Sequence, residues 1–162
     1  LTTAQNTVGA GTDTLANFEN IFASAFGDTL TGSSGANVIN GAAGNDLITG
    51  GLGADMLTGG AGADIFKFMT SGLDANFDRI TDFSTAQGDK IDLKDLLVGY
   101  DPVTKAITDF VEFTTVGANT VIKVDRDGLG TTYGWQQIAQ LDNVVGLTDE
   151  AALKASGNLI VA

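Results

Sequence analysis

Residues 32–67 read GSSGANVIN, GAAGNDLIT, GGLGADMLT and GGAGADIFK, four nine-residue blocks laid end to end. The last two, starting at Gly50 and Gly59, fit G-G-x-G-x-D-x-U-x at every fixed position, where U is a large apolar residue. A repeat this short cannot bury its apolar residue alone, so each block must stack on its neighbours. Six turn-forming residues precede three strand residues in every block. Glycines at positions one, two and four permit positive φ and close backbone approach. Position eight holds Leu30, Ile39, Ile48, Leu57 and Phe66. Side chains alternate faces along a strand, so position eight points inward while positions seven and nine point out. A degenerate block at Ala23 keeps only Asp28 and Leu30 in register. A further G-x-G-x-D, from Gly9 to Asp13 and followed by Leu15, lies fifteen residues ahead of that block, which is not a multiple of nine. The slip predicts an irregular turn over residues 17–22 that caps the stack or connects it to a preceding domain.

Composition narrows the function. A formal net charge of -12 argues against nucleic acid and against an anionic membrane surface, because both recruit positive charge. Cations are the expected partners. Asp far outnumbers Glu, which suits turns, since the short Asp side chain bonds to nearby backbone. The chain has no Cys and no His, which removes zinc fingers, thiol chemistry, histidine-ligated haem and any Ser-His-Asp or Cys-His triad. An enzyme is not expected. Outside the cell a cysteine-free acidic chain needs a staple other than a disulfide, and a bound metal serves. No stretch approaches the roughly 18 apolar residues of a membrane span, so direct membrane insertion is not expected. The start at Leu1 lacks the charged and apolar regions of a signal peptide. Starting without Met suggests a fragment of a longer protein, or a removed tag.

A glycine-rich turn ending in Asp supplies carbonyl and carboxylate oxygens, the donors calcium takes in shells of about six to eight. One turn offers part of a shell, and two stacked in register can close it. With two blocks per coil, turns on one side recur every eighteen residues. Asp28, Asp46 and Asp64 then form one column, and Asn37 and Asp55 the other. Uncompensated columns of this kind would repel one another, which favours a bound cation over a bare turn.

On these residues the segment GAAGNDLITGGLGADMLTGGAGADIFKF, residues 41–68, resembles the parallel β-roll of the repeats-in-toxin (RTX) family, bacterial proteins exported by type I secretion. The resemblance implies Ca2+ bound between loop n and loop n+2. The implied ligands are Asp46, Asp55 and Asp64, with Asp28 and the neutral Asn37 at weaker sites. The implied backbone ligands are the carbonyls of Gly41, Ala43, Gly50, Leu52, Gly59 and Ala61. It extends to D-R-I-T-D-F at residues 78–83 and G-D-K-I-D-L at residues 88–93, similar to the segment that follows the β-roll in RTX proteins. There the first two Asp residues can close the last site, which here implies Asp78 and Asp82 completing a shell with the Gly50 loop. Surface acids on a strand are the alternative.

Past Lys67 the glycines thin and strand-like runs appear at residues 79–83, 90–93, 110–116, 120–124 and 135–141. Gly117, Ala118 and Asn119 suit a hairpin turn. Residues 149–155 suit a short helix with Thr148 as N-cap, and residues 158–161 a final strand. Asp125 and Asp127 lack the further spaced oxygens of an EF-hand, so a turn is expected there. The expected fold is all-β: a cap or linker over residues 1–22, a parallel calcium-binding β-roll over 23–68, and a β-rich C-terminal cap with a short helix over 69–162. The last seventy residues look like the C-terminal region of large RTX adhesins, whose extreme C-terminus is an uncleaved signal for the type I exporter. The resemblance therefore implies a calcium-binding folding and export module, unfolded at low cytosolic calcium and folded outside the cell or on its surface. Its implied partners are calcium ions and the type I secretion machinery, and as a fragment it is expected to be monomeric. The alternative is the tail of a secreted protease or lipase. Ice binding is not expected, because positions three and five (Ser34, Ala43, Leu52, Ala61 and Ala36, Asn45, Ala54, Ala63) form no polar array.

Overall fold

The computed structural model describes residues 5–6, 11 and 13–162, so most of the early G-x-G-x-D motif lies outside the described residues. Short strands form, those of the repeat blocks where the repeat dictates: β1 (Gln5–Asn6), β2 (Thr14–Phe18), β3 (Asn20–Phe22), β4 (Thr29–Gly32), β5 (Val38–Asn40), β6 (Leu47–Thr49), β7 (Met56–Thr58) and β8 (Ile65–Lys67). Consecutive strands alternate between two sheets, so pairing runs parallel between strands eighteen residues apart, for example Ile39 with Leu57 and Leu30 with Ile48. This is a parallel β-roll. Coiling continues beyond the glycine-rich blocks in β9 (Asp78–Ile80) and β10 (Lys90–Asp92), which add to β7 and β8 although the steps lengthen, Met56 pairing with Arg79 and Ile65 with Lys90.

The core is a double row of apolar side chains. One sheet contributes Ile21, Ile39, Leu57 and Ile80, and the other Leu30, Ile48, Phe66 and Ile91, each no more than 1% exposed. Position eight thus points inward throughout. Ile21 corrects the irregular turn expected over residues 17–22. Asn20–Phe22 is a regular rung paired with β5, and the irregularity is confined to Asn17, at φ 62, where the register of β2 against β4 shifts. A single left-handed residue absorbs the slip.

The remainder locks onto the far end of the roll. Strands β11 (Val111–Val116) and β12 (Asn119–Val124) form an antiparallel hairpin, and β13 (Gln136–Leu141) joins it to the roll by pairing antiparallel with β12 and parallel with β9. Helix α1 (Glu150–Ser156) starts one residue later than expected, and its cap is Asp149 rather than Thr148. The Asp149 carboxylate accepts from the Ala152 N–H at 2.8 Å, which satisfies an otherwise unpaired helix-start donor. Gly157, at φ 81, ends the helix and turns the chain into β14 (Leu159–Ile160), parallel to β10. The sheets therefore contain eight and six strands among the described residues. The Asp125 region is a turn, with Gly128 N–H donating to the Asp125 carbonyl at 3.3 Å.

Neighbouring residues on one strand should respond oppositely to truncation. Leu57→Ala is expected to cost about 2–5 kcal/mol in denaturant unfolding, because its cavity sits in the shared row. Met56→Thr, on the exposed face, should stay within about 0.5 kcal/mol.

Candidate metal centre

The turns place one acid or amide just before, or at the first residue of, nearly every roll strand: Asp13, Glu19, Asp28, Asn37, Asp46, Asp55, Asp64, Asp78 and Asp89. On one side of the roll these residues are tied together by a ladder. Asp13 N–H donates to Asp28 Oδ1 at 2.6 Å, Asp28 N–H to Asp46 Oδ1 at 2.7 Å, Asp46 N–H to Asp64 Oδ1 at 2.9 Å, and Asp64 N–H to Asp89 Oδ1 at 3.1 Å. On the other side Asn37 N–H donates to Asp55 Oδ1 at 2.8 Å, and Asp55 N–H to Asp78 Oδ1 at 3.1 Å. Each bond fixes one carboxylate oxygen and thereby aims the other.

That other oxygen has no donor at three interior positions. Oδ2 of Asp46, Asp55 and Asp64 is buried and accepts no hydrogen bond. A buried carboxylate oxygen without a partner is costly, and a cation is the standard remedy. The surroundings fit one. Glycine at position one leaves space that a Cβ would fill: at Gly41 it would strike Asp46 Oδ2 and come within 2.6 Å of the Gly59 carbonyl oxygen. At Gly50 it would strike Asp55 Oδ2 and approach Asp78 Oδ2 to 2.9 Å. The backbone at Gly50 lies outside the positive-φ region, so glycine serves here for room alone. Two carboxylates from successive coils converge on that gap. All the donors are oxygens, a hard set suited to calcium. No group of three or more acidic side chains converges among the described residues, so carbonyls or water would complete any shell.

The column ends differ. Asp28 Oδ2 accepts from the Ser24 N–H and the Ser24 hydroxyl, both at 3.0 Å. Asn37 Oδ1 accepts from Ser33 N–H at 2.7 Å, while its amide nitrogen donates to the Glu19 carbonyl at 3.0 Å. The residue at position two thus satisfies both weaker candidates, Ser24 through its hydroxyl and N–H and Ser33 through its N–H, where the interior coils have Ala42, Gly51 and Gly60 without a hydroxyl. Asp78 meets the Gly50 loop as expected. Asp82 does not: its two oxygens accept from Gly59 N–H at 3.0 Å and Gly60 N–H at 2.7 Å, which places it on the Gly59 loop. Among the expected carbonyls, Gly59 O faces Asp46 and Gly50 O faces Asn37 across Gly32, whereas Ala61 O accepts from Gly44 N–H at 2.8 Å. Gly41, Ala43 and Leu52 lie in the same turns.

Asp89 was not among the expected residues. It closes the longer column, accepting from Asp64 N–H and, through Oδ2, from Ser84 N–H at 2.8 Å. Its signal is position: like the repeat acids, it immediately precedes a strand.

Burial is the main force on these groups. It pushes the Asp46 carboxyl from 3.8 up to about 6; the Asp28 N–H bond pulls the other way, and the charges of Asp64 and Asp28 add to the rise. Burial also raises Asp64 and Asp89. Asp55 and Asp78 rise together, burial first, with the Asp55 charge facing Asp78 lifting it further. None of the ion pairs among the described residues, Lys67–Asp95, Arg79–Asp142 and Lys123–Glu112, touches either column.

Residues 22–57 and 31–66 match the family described as RTX calcium-binding nonapeptide repeat (4 copies). Residues 22–66 of the roll thus match RTX calcium-binding repeats. No curated protein matches the chain. Among solved structures, the AlgE6R2 subunit of the Azotobacter vinelandii mannuronan C5-epimerase is similar at 26% identity and TM-score 0.52, covering 98% of this chain and 93% of that one. The AlgE6R3 subunit of the same epimerase matches at 26% identity and TM-score 0.29, over 85% of this chain and 79% of that one.

The raised carboxyls fix the sign of the pH dependence without calcium. A carboxyl whose folded value lies above its unfolded one stabilises the fold below the unfolded value, and that contribution is lost as pH rises through the folded value. Calcium-free protein should therefore melt highest near about pH 4 and lose stability towards about pH 8. Saturating calcium should reverse the trend, since protons compete for the same oxygens. Melting curves across this range check both, and a calcium-free melting temperature that climbs with pH would contradict the assignment.

Proposed function

We propose that this chain is a calcium-gated folding and export module at the C-terminal end of a bacterial adhesin secreted by the type I route, itself without catalytic activity. The observation that carries the gating is the set of buried Asp46, Asp55 and Asp64 oxygens that the protein leaves without donors. Calcium bound there would supply the positive charge that these oxygens coordinate. Asp46, Asp64 and the Gly59 carbonyl would hold it on one side, and Asp55 with Asp78 on the other. Without it, carboxylate repulsion and the ordering entropy of the glycine turns oppose stacking. Extracellular calcium modules have dissociation constants of roughly 0.1–1 mM, far above cytosolic free calcium, so the chain stays unfolded inside and can thread an exporter. Outside, binding free energy becomes folding free energy, because the sites exist only when the loops are stacked.

Localisation outside the cell or on its surface, recognition by the type I machinery through the C-terminus, and the adhesin context rest on the resemblance of the tail. No helix among the described residues is long and apolar enough to cross a membrane. A second reading has an observation of its own: the whole-length likeness to a subunit of an epimerase favours a module appended to a secreted enzyme.

Circular dichroism with and without millimolar calcium tests the gating. The β signal and melting temperature should rise together on addition of calcium, and Asp46→Ala, Asp55→Ala and Asp64→Ala combined should abolish the rise and slow secretion of a fused passenger. An unchanged spectrum in the wild type, or undiminished secretion by the triple variant, would sink the proposal.

A further inference from the structure

All 8 Lys and Arg residues of this acidic chain lie at Lys67 or beyond. Three of them pair with carboxylates. Lys105 and Lys154 are instead held by neutral oxygens: Lys105 Nζ donates to the Gly99 carbonyl at 2.7 Å, and Lys154 Nζ donates to the Tyr100 hydroxyl at 2.9 Å. Each ammonium also sits near an aromatic ring, Lys105 at 5.5 Å from the centre of Phe110 and Lys154 at 5.4 Å from that of Tyr100. The two rings meet edge to face at 5.2 Å, so one aromatic pair supports both cations.

Both lysines line a groove of about 460 Å3 between the loop from Tyr100 to Thr108 and helix α1. Ile107, Ala151 and Ala155 make its floor apolar. That size is within the range of small-molecule sites, and an apolar floor with a few convergent polar groups is their usual form. Asp101 lies within electrostatic reach of Lys105, but its carboxylate accepts from Val103 N–H at 3.0 Å and the Thr104 hydroxyl at 2.8 Å. Glu150, at the start of α1, accepts from Phe113 N–H at 2.6 Å. Neither carboxylate bonds a lysine of the groove, although Asp101 keeps its charge beside Lys105 and Asp109 and Asp127 line the adjoining hollow. The groove itself is lined by two lysines and no acid, above an apolar surface.

We propose that this groove binds a small amphipathic carboxylate, with the anionic head between Lys105 and Lys154 and the apolar tail along Ile107, Ala151 and Ala155. The head would exchange the lysines' neutral partners for a charge-assisted contact, which is the stronger kind. A cationic ligand meets two ammoniums, and a neutral one gains only the floor. The site uses no residue of the aspartate columns, so it stands or falls independently of the calcium reading.

An NMR titration of the calcium-loaded protein with phenylbutyrate tests it, with phenylbutanol and phenylbutylamine as charge-altered counterparts. Phenylbutyrate should give saturable amide shifts confined to residues 99–108 and 150–156. The alcohol and the amine should bind at least about fivefold more weakly, and Lys105→Gln with Lys154→Gln should lose a similar factor while melting as the wild type does. If the double variant does not fold, Lys105→Gln alone, at an exposed position, should still lose at least about twofold. Absence of saturable shifts with phenylbutyrate, equal affinity for the alcohol, or unchanged affinity in the folded variant would overturn the proposal.

Discussion

Everything in this molecule depends on buried carboxylates that are half satisfied. One oxygen of Asp46, Asp55 and Asp64 accepts a backbone N–H from the coil before it, and the other has no protein donor. The first bond sets the spacing between coils. The second oxygen sets the condition under which the coils tolerate one another, because like charges stacked in a desolvated column oppose the fold unless something neutralises them. Apolar rows from the two sheets hold the interior together, but they cannot relieve the columns at the loops.

This division of labour accounts for both glycine and serine in the turns. Position-one glycine keeps open the space into which the unpaired oxygens point, as at Gly50 between Asp55 and Asp78. In the first coils the Ser24 hydroxyl and N–H donate to Asp28, and the Ser33 N–H donates to Asn37 Oδ1 while the Ser33 hydroxyl accepts from the Asn37 amide nitrogen. Asp28 and Asn37 are thus satisfied by the protein itself, whereas the second oxygens of Asp46, Asp55 and Asp64, and of Asp13 at the start of the longer column, have no donor. At the other end β14 pairs with β10, and the Asn158 amide donates to the Asp89 carbonyl at 2.7 Å, so the C-terminal strand is fastened to the last acid of the longer column.

The sequence made the roll legible because turn, acid and inward apolar residue recur at fixed spacing. Position eight and the Asp46, Asp55 and Asp64 positions needed only that period. Legibility failed where the period changed. The lengthened connections before β9 and β10 hid Asp89 and put Asp82 on the Gly59 loop rather than the Gly50 loop, since hydrogen bonding follows strand register and not residue count. The fifteen-residue step before Asp28 looked like a broken coil, yet one left-handed residue at Asn17 keeps Ile21 in the core. Local donors were invisible too: nothing in spacing says that Ser24 and Ser33 bond back to Asp28 and Asn37 of their own blocks.

Diffraction from calcium-grown crystals, with anomalous signal collected for the bound ion, tests the central claim most directly. The account predicts anomalous peaks between successive coils, each within about 2.3–2.6 Å of the second oxygen of Asp46, Asp55 or Asp64. A roll of the same register with those oxygens bonded only to water or protein, and no peak in either column, would contradict it.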